Sequence, residues 1–308
     1  MKLHLDTDIG GDIDDLCALA LLLAWPDVDL TGITTVAEHA GKRAGYARYA
    51  LALAGRTDVP VRAGADAGLD GFMLPTGLPP EDRYWPDPVP PAPGPVEAAL
   101  DLLEHSIRSG ATIVAIGPFT NLSLLERRRP GALRDAHLFL MGGHILSTRP
   151  GLPAWTYETD YNVQADPASA RHVLESAAST TLIPIEVTAQ AALRRAHLPA
   201  LARGGPLARL IARQATAFAE DWRNDEQYAG RCAAVPGDII NFQHDPLACA
   251  VALGWEGVTI EQLPLVFEMQ GPWLCGRIDG SGRPQRVVTA VDGPRFNALW
   301  AELVTAGS

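Results

Sequence analysis

The chain has 308 residues, 47% of them hydrophobic and 20% charged, an ordinary composition for one large or two modest globular domains. A formal charge of −11 and a pI of about 5.1 describe a surface that repels phosphate backbones, so nucleic acid is not an expected partner. Four scattered cysteines without CxxC spacing, acids from Asp6 onward where a signal peptide would stay apolar, and a longest early apolar stretch (Leu16 to Trp25) too short for a bilayer predict a cytoplasmic protein off the membrane.

Strand-like and helix-like runs alternate. Lys2 to Leu5 reads as a first strand and Leu16 to Ala24 as the helix after it. Leu30 to Val36 is β-branched and reads as a second strand. Gly45 to Gly55 is Ala-rich and helical, and Val59 to Arg62 is a short strand. Residues 77–95 hold so many prolines that they read as a loop or lid without regular structure. The rhythm then resumes: helix over Val96 to Ser109, strands over Thr112 to Ile116 and Ala136 to Met141, helix over Ala168 to Glu175. A strand over Thr180 to Val187 and a long helix over Pro206 to Trp222 follow. Such alternation predicts an α/β domain across 1–308, with a mainly parallel central sheet flanked by helices. Ligands in such sheets bind beyond the carboxyl ends of the strands. Asp6 to Asp15, Val36 to His39, Gly117 to Asn121 and Met141 to His144 all emerge at that edge.

The first of these segments is the most telling. Asp6, Asp8, Asp12, Asp14 and Asp15 crowd into one turn before an apolar helix. One or two acids suit a helix N-terminus, where the dipole favours negative charge. Five need a cation among them, or protons on some of them. A hard divalent ion such as Ca²⁺ or Mg²⁺ takes carboxylate oxygens. An EF-hand loop fails, because Cys17 stands where a bidentate Glu is required. A haloacid dehalogenase-type phosphatase would use Asp6 and Asp8 as its DxD, but it needs a lysine, and only Lys2 and Lys42 exist.

The stretch Asp6-Thr7-Asp8-Ile9-Gly10-Gly11-Asp12-Ile13-Asp14-Asp15 resembles the amino-terminal signature of the inosine–uridine-preferring nucleoside hydrolases. Further matches follow in order: Ile33-Thr34-Thr35-Val36, Gly117-Pro118-Phe119-Thr120-Asn121, Met141-Gly142-Gly143, Asp160-Tyr161-Asn162 with Asp166-Pro167, Pro184 to Thr188, and His244-Asp245-Pro246-Leu247-Ala248. The resemblance spans nearly the whole chain. It implies a Ca²⁺-dependent hydrolase of ribosidic C–N bonds, assembled as a homodimer or homotetramer. The implied metal ligands are Asp8, Asp15, the Thr120 carbonyl and Asp245. Asp8 is the implied base that activates a metal-bound water, and the attack should invert the sugar carbon. Asp14 and Asn162 would accept the 2′ and 3′ hydroxyls, and Asp160 would sit near the 5′ hydroxyl. His244 would lie near the base as a candidate general acid.

Other residues are candidates for binding. His39 stands where the family usually has Asn. Tyr161 and Tyr228 could stack on the base, as could Trp85, Trp155 and Trp222. Trp85 lies in the proline-rich lid. Cys17 and Cys249 read as small core residues. The chain also departs from the family pattern. Asp160 replaces the commoner Glu, Ala67 stands where a His tied to pyrimidine activity is expected, and Ala154 occupies the place of an Asn. An altered pocket is compatible with an unusual riboside. It is equally compatible with a catalytically silent protein that binds nucleosides and keeps the metal site.

Overall fold

A computed structural model describes residues 1–306. Its strands are β1 (Lys2–Thr7), β2 (Asp29–Thr35), β3 (Val61–Ala63), β4 (Thr112–Ala115), β5 (His137–Met141) and β6 (Ser179–Ile183). Then come β7 (Ala192–Arg194), β8 (Ile239–Phe242), β9 (Val258–Gln270), β10 (Trp273–Ile278) and β11 (Arg283–Val291). The helices begin with α1 (Asp14–Ala24), α2 (Lys42–Leu53), α3 (Glu81–Tyr84), α4 (Val96–Arg108), α5 (Thr120–Arg128) and α6 (Tyr161–Ala165). They continue with α7 (Pro167–Ser176), α8 (Ile185–Thr188), α9 (Leu198–Arg203), α10 (Pro206–Trp222), α11 (His244–Ala252) and α12 (Gly293–Ala306).

One nine-stranded sheet runs in the order β10-β9-β11-β6-β5-β4-β1-β2-β3, and β7 pairs with β8 apart from it. Every pairing from β3 to β11 is parallel, while β9 is antiparallel to both of its neighbours. The two faces of β4 show why: Val114 and Ile116 join one apolar cluster, Ile113 and Ala115 the other. Strands buried on both sides carry continuous apolar runs and need a helical layer on each face. Helices α1, α11 and α12 supply the first layer, and α4, α5 and α7 the second. Cys17 and Cys249 are buried among the former, as their helix positions predict. No helix among the described residues is long and apolar enough to cross a membrane.

Strand order reverses at β1, which lies between β2 and β4. The connections on its two sides diverge there and leave a crevice beyond the strand ends.

Three expectations need correction. Residues 77–95 are not without regular structure, because α3 forms a turn of helix just after Pro80, whose fixed φ of −54° suits a helix start. The strand expected through Val187 stops at Ile183. Pro184 has no N–H for the ladder, and α8 turns the chain away. The antiparallel β9–β11 extension was not foreseen; β9 is half-exposed along most of its length and carries Pro264, so it lacks an apolar signature.

Candidate active site

A cavity of about 530 Å³ opens at the reversal point, a size suited to a small organic ligand. Its floor comes from the strand ends: Asp8 after β1, Ile116 after β4, Met141 closing β5 and Ile185 after β6.

The acids arrive there on two buried helices. Helix α1 places Asp14 and Asp15 in its first turn, and α11 places Asp245 in its own. The two helices pack against each other, so both positive dipole ends meet the same acids. Carboxylate oxygens of Asp14, Asp15 and Asp245 lie within 4.8 Å of one another, all three residues buried. Burial pushes each of their pKa values well up, and the neighbouring acids push further. The Thr7 hydroxyl donates to Asp15, and this only partly offsets the effect. Three buried carboxylates on converging helix ends fit a hard divalent cation. Asp8 lines the cavity beside them, its pKa also raised by burial and partly restored by the nearby Arg43 guanidinium.

The remaining acids of the turn do different work. Asp6 is fully buried away from the cavity. Its Oδ1 accepts from the Thr34 hydroxyl at 2.5 Å and from Asn121 Nδ2 at 2.7 Å, and burial lifts its pKa to about 7. Asn121 also donates to the Thr35 carbonyl at 2.9 Å and accepts from the Ala65 amide at 3.0 Å, so it ties the ends of three strands together. Asp12 lines the cavity and accepts from Asn241 Nδ2 at 2.6 Å, which joins the turn to β8. The Thr120 hydroxyl donates to Asp166 Oδ2 at 2.7 Å, and Thr120 does not line the cavity. Asp166 also caps α7 through the Ser169 amide.

On the opposite wall stand Asp160, Tyr161 and Asn162. Asn162 Nδ2 donates to the carbonyls of Ile116 at 3.0 Å and Met141 at 3.1 Å. That fixes the amide and leaves its oxygen as the polar atom available to a ligand. Asp160 accepts from the Gly143 amide through Oδ2, while its buried Oδ1 has no partner. Glu186, also buried, accepts from the Ile145 and Leu146 amides at 2.9 and 2.7 Å and holds the same loop. The family motif places an acid there without revealing this partner.

His244 lines the cavity, with Nδ1 2.6 Å from the Thr188 hydroxyl. Burial lowers its pKa to about 4, so the ring is neutral at neutral pH. Trp155 packs 5.6 Å from it, and Tyr228 stacks edge-on behind Trp155 at 5.9 Å. Neither Trp155 nor Tyr228 lines the cavity, because each spends its ring on Phe242 and its neighbours. Trp85 is likewise inside: it stacks on Tyr46 at 4.2 Å and is 2% exposed, an anchor of the loop and not a cap on the site. His39 also stays out of the cavity, its Nε2 bonded to the Thr76 carbonyl at 2.6 Å. Trp222, at the end of α10, does line the mouth and is 56% exposed. Sequence reasoning missed Arg43, a buried cation in the cavity wall; nothing in the sequence sets it apart from Lys42 and Arg48 on the same helix.

A sequence profile described as inosine-uridine preferring nucleoside hydrolase matches residues 3–298, most of the chain. The chain belongs to that family. As a nucleoside hydrolase it is an N-glycosyl hydrolase of the ribonucleoside hydrolase class. The pyrimidine-specific ribonucleoside hydrolase RihA of Citrobacter koseri is 29% identical over 327 residues, which covers 96% of each chain. RihA from an Escherichia coli strain is 28% identical over 335 residues, 98% of this chain and 97% of that one. Among solved structures, the purine-preferring ribonucleoside hydrolase from Gardnerella vaginalis superposes with a TM-score of 0.79 at 22% identity, over 100% of this chain and 99% of that one. The plant nucleoside hydrolase PpNRh1 gives 0.78 at 22% identity, over 99% of both. These two likenesses confirm the nucleoside hydrolase fold.

Proposed function

We propose that this nucleoside hydrolase cleaves the N-glycosidic bond of a riboside with calcium held by Asp8, Asp14, Asp15 and Asp245. The carrying observation is the three-acid cluster, buried without a matching set of cations, at the foot of a nucleoside-sized cavity. Asp14 thereby joins the ligand set as well as being a sugar contact. Held there, calcium would supply positive charge that makes a nearby water more acidic.

The residues of the chain do the rest. Breaking the C–N bond builds positive charge on the sugar ring, and the surrounding carboxylates stabilise it. Asp8 takes the proton of the attacking water, as general base. The Asn162 oxygen and Asp14 accept the sugar hydroxyls, and Asp160 Oδ1 accepts from the 5′ hydroxyl. The leaving base lies toward His244. When the Thr188 hydroxyl donates to Nδ1, Nε2 carries the ring proton and can donate a hydrogen bond to the departing nitrogen. Trp222 and Leu78 offer an apolar surface at the mouth against which a base can lie.

The curated relatives are named pyrimidine-specific and a solved neighbour purine-preferring, so the test covers both. Purine, pyrimidine and modified ribosides are incubated with the protein, with calcium or with chelator, and free base is measured by chromatography. Free base that appears only with calcium supports the reading. Tight riboside binding without base release would overturn it in favour of a silent nucleoside-binding protein.

A further inference from the structure

The cavity wall formed by Pro75, Gly77, Leu78 and Pro79 has an unusual attachment. Among the described residues, no backbone–backbone hydrogen bond fastens 74–79. Pro75 and Pro79 have no N–H to offer. What holds this strap is side chains reaching its carbonyls. Tyr161 donates its hydroxyl to the Pro75 carbonyl at 3.0 Å. Arg43 Nη2 donates to the Thr76 carbonyl at 2.8 Å, and His39 Nε2 lies 2.6 Å from the same oxygen.

Arg43 does more than hold the strap. It is 1% exposed, and three of its other N–H donors go to main-chain carbonyls. Nε donates to Ala37 at 2.8 Å, and Nη1 to Asp8 and to Ile9, the latter at 3.2 Å. One planar guanidinium therefore bridges the segment after β2, the acidic turn after β1 and the strap. Its base is itself fixed: Glu38, buried, accepts from the Arg43 amide at 3.3 Å and the Ala44 amide at 2.8 Å, and so caps α2. A lysine could supply the charge but not this planar, many-donor bridge.

We propose that Arg43 is a positioning residue that fixes the Pro75–Pro79 strap to the acidic turn and thereby sets riboside affinity. The assignment rests on the proposed hydrolase reading for its kinetic arm only. Arg43 lines the cavity, and its guanidinium donates to carbonyls of the strap, the turn and the segment after β2 and to no carboxylate. Its loss loosens a binding wall that the reacting atoms do not contact, and this raises KM more than it lowers kcat.

The test uses Arg43→Gln, Arg43→Lys and Tyr161→Phe in the full chain. Limited proteolysis with proteinase K is followed by mass spectrometry, alongside thermal midpoints and steady-state kinetics on a riboside the parent protein cleaves. The expected result is faster cleavage confined to the 74–79 segment in both Arg43 variants, with KM up about tenfold or more and kcat changed less. Arg43→Lys, which keeps the charge, falls with Arg43→Gln. Tyr161→Phe speeds cleavage in the same segment by a smaller factor. Cleavage at 74–79 equal to the parent, or raised uniformly across the molecule with KM unchanged, would overturn the assignment. So would full rescue by lysine. If the parent cleaves no riboside, the proteolysis arm alone decides for or against the assignment.

Discussion

Gly117 and Asp8 approach so closely that a Cβ on Gly117 would stand 2.8 Å from Asp8 Oδ1 and 3.0 Å from the Asp8 amide. The glycine that opens the GPFTN segment thus leaves room for the carboxylate assigned as base. Gly117→Ala is expected to displace that carboxylate and lower kcat about tenfold to a hundredfold. Steady-state kinetics check it. An unchanged kcat would mean that Asp8 tolerates the shift or does not act as the base.

His244 offers a second prediction. If its Nε2–H supports the leaving base by a hydrogen bond, its loss matters most where the leaving group needs that support. His244→Ala is expected to slow cleavage of ordinary ribosides by about 10²- to 10³-fold. An aryl riboside with an acidic phenol should lose far less. Thr188→Val should follow the same pattern more weakly, since it removes the hydroxyl 2.6 Å from Nδ1. Equal losses on both substrates would assign His244 to binding instead.

Calcium should couple to stability in a pH-dependent way. Asp14, Asp15 and Asp245 keep their protons to higher pH when folded than the unfolded value of 3.8. The folded chain then binds more protons than the unfolded one, so stability falls as pH rises. His4 and His244 act in the opposite sense. Their folded pKa values are lowered to about 3 and about 4, so they add stability as pH climbs from there to their unfolded value of 6.5, and none beyond. Above that point the acids dominate the slope. With chelator, the melting temperature should fall as pH rises above about 6.5. Calcium at about a hundred times its Kd adds roughly 2.7 kcal/mol, and the calcium-induced rise should grow with pH in that range. Differential scanning fluorimetry reads both. A rise independent of pH would contradict the burial of these acids around the ion.

What could be read from the residues alone follows a physical rule. Crowded acids ahead of an apolar helix announce themselves, because uncompensated charge is costly wherever it sits. The acid cluster was legible for that reason, as were most of the buried strands. Asp6 shows the limit: in the sequence it looks like its neighbours, yet it serves the sheet by accepting from Thr34 and Asn121. Arg43 was invisible because its partners are main-chain carbonyls, which carry no residue signature. Trp85 misled for the reverse reason. A tryptophan in a proline-rich stretch reads as part of a lid that could stack on the base, but its flat ring finds Tyr46 in the core. The clasp between that loop and α10, with Arg83 on Asp221 at 2.7 Å, is likewise a pairing of distant residues that no local pattern encodes.

The most direct test of the central claim is single-turnover cleavage by Asp8→Asn, with calcium and riboside binding measured on the same preparation. Asn keeps an oxygen for the ion but has no basic carboxylate. Calcium and riboside binding should be retained while cleavage slows by roughly 10²- to 10⁴-fold. Cleavage close to that of the parent, with calcium bound, would contradict Asp8 as the base.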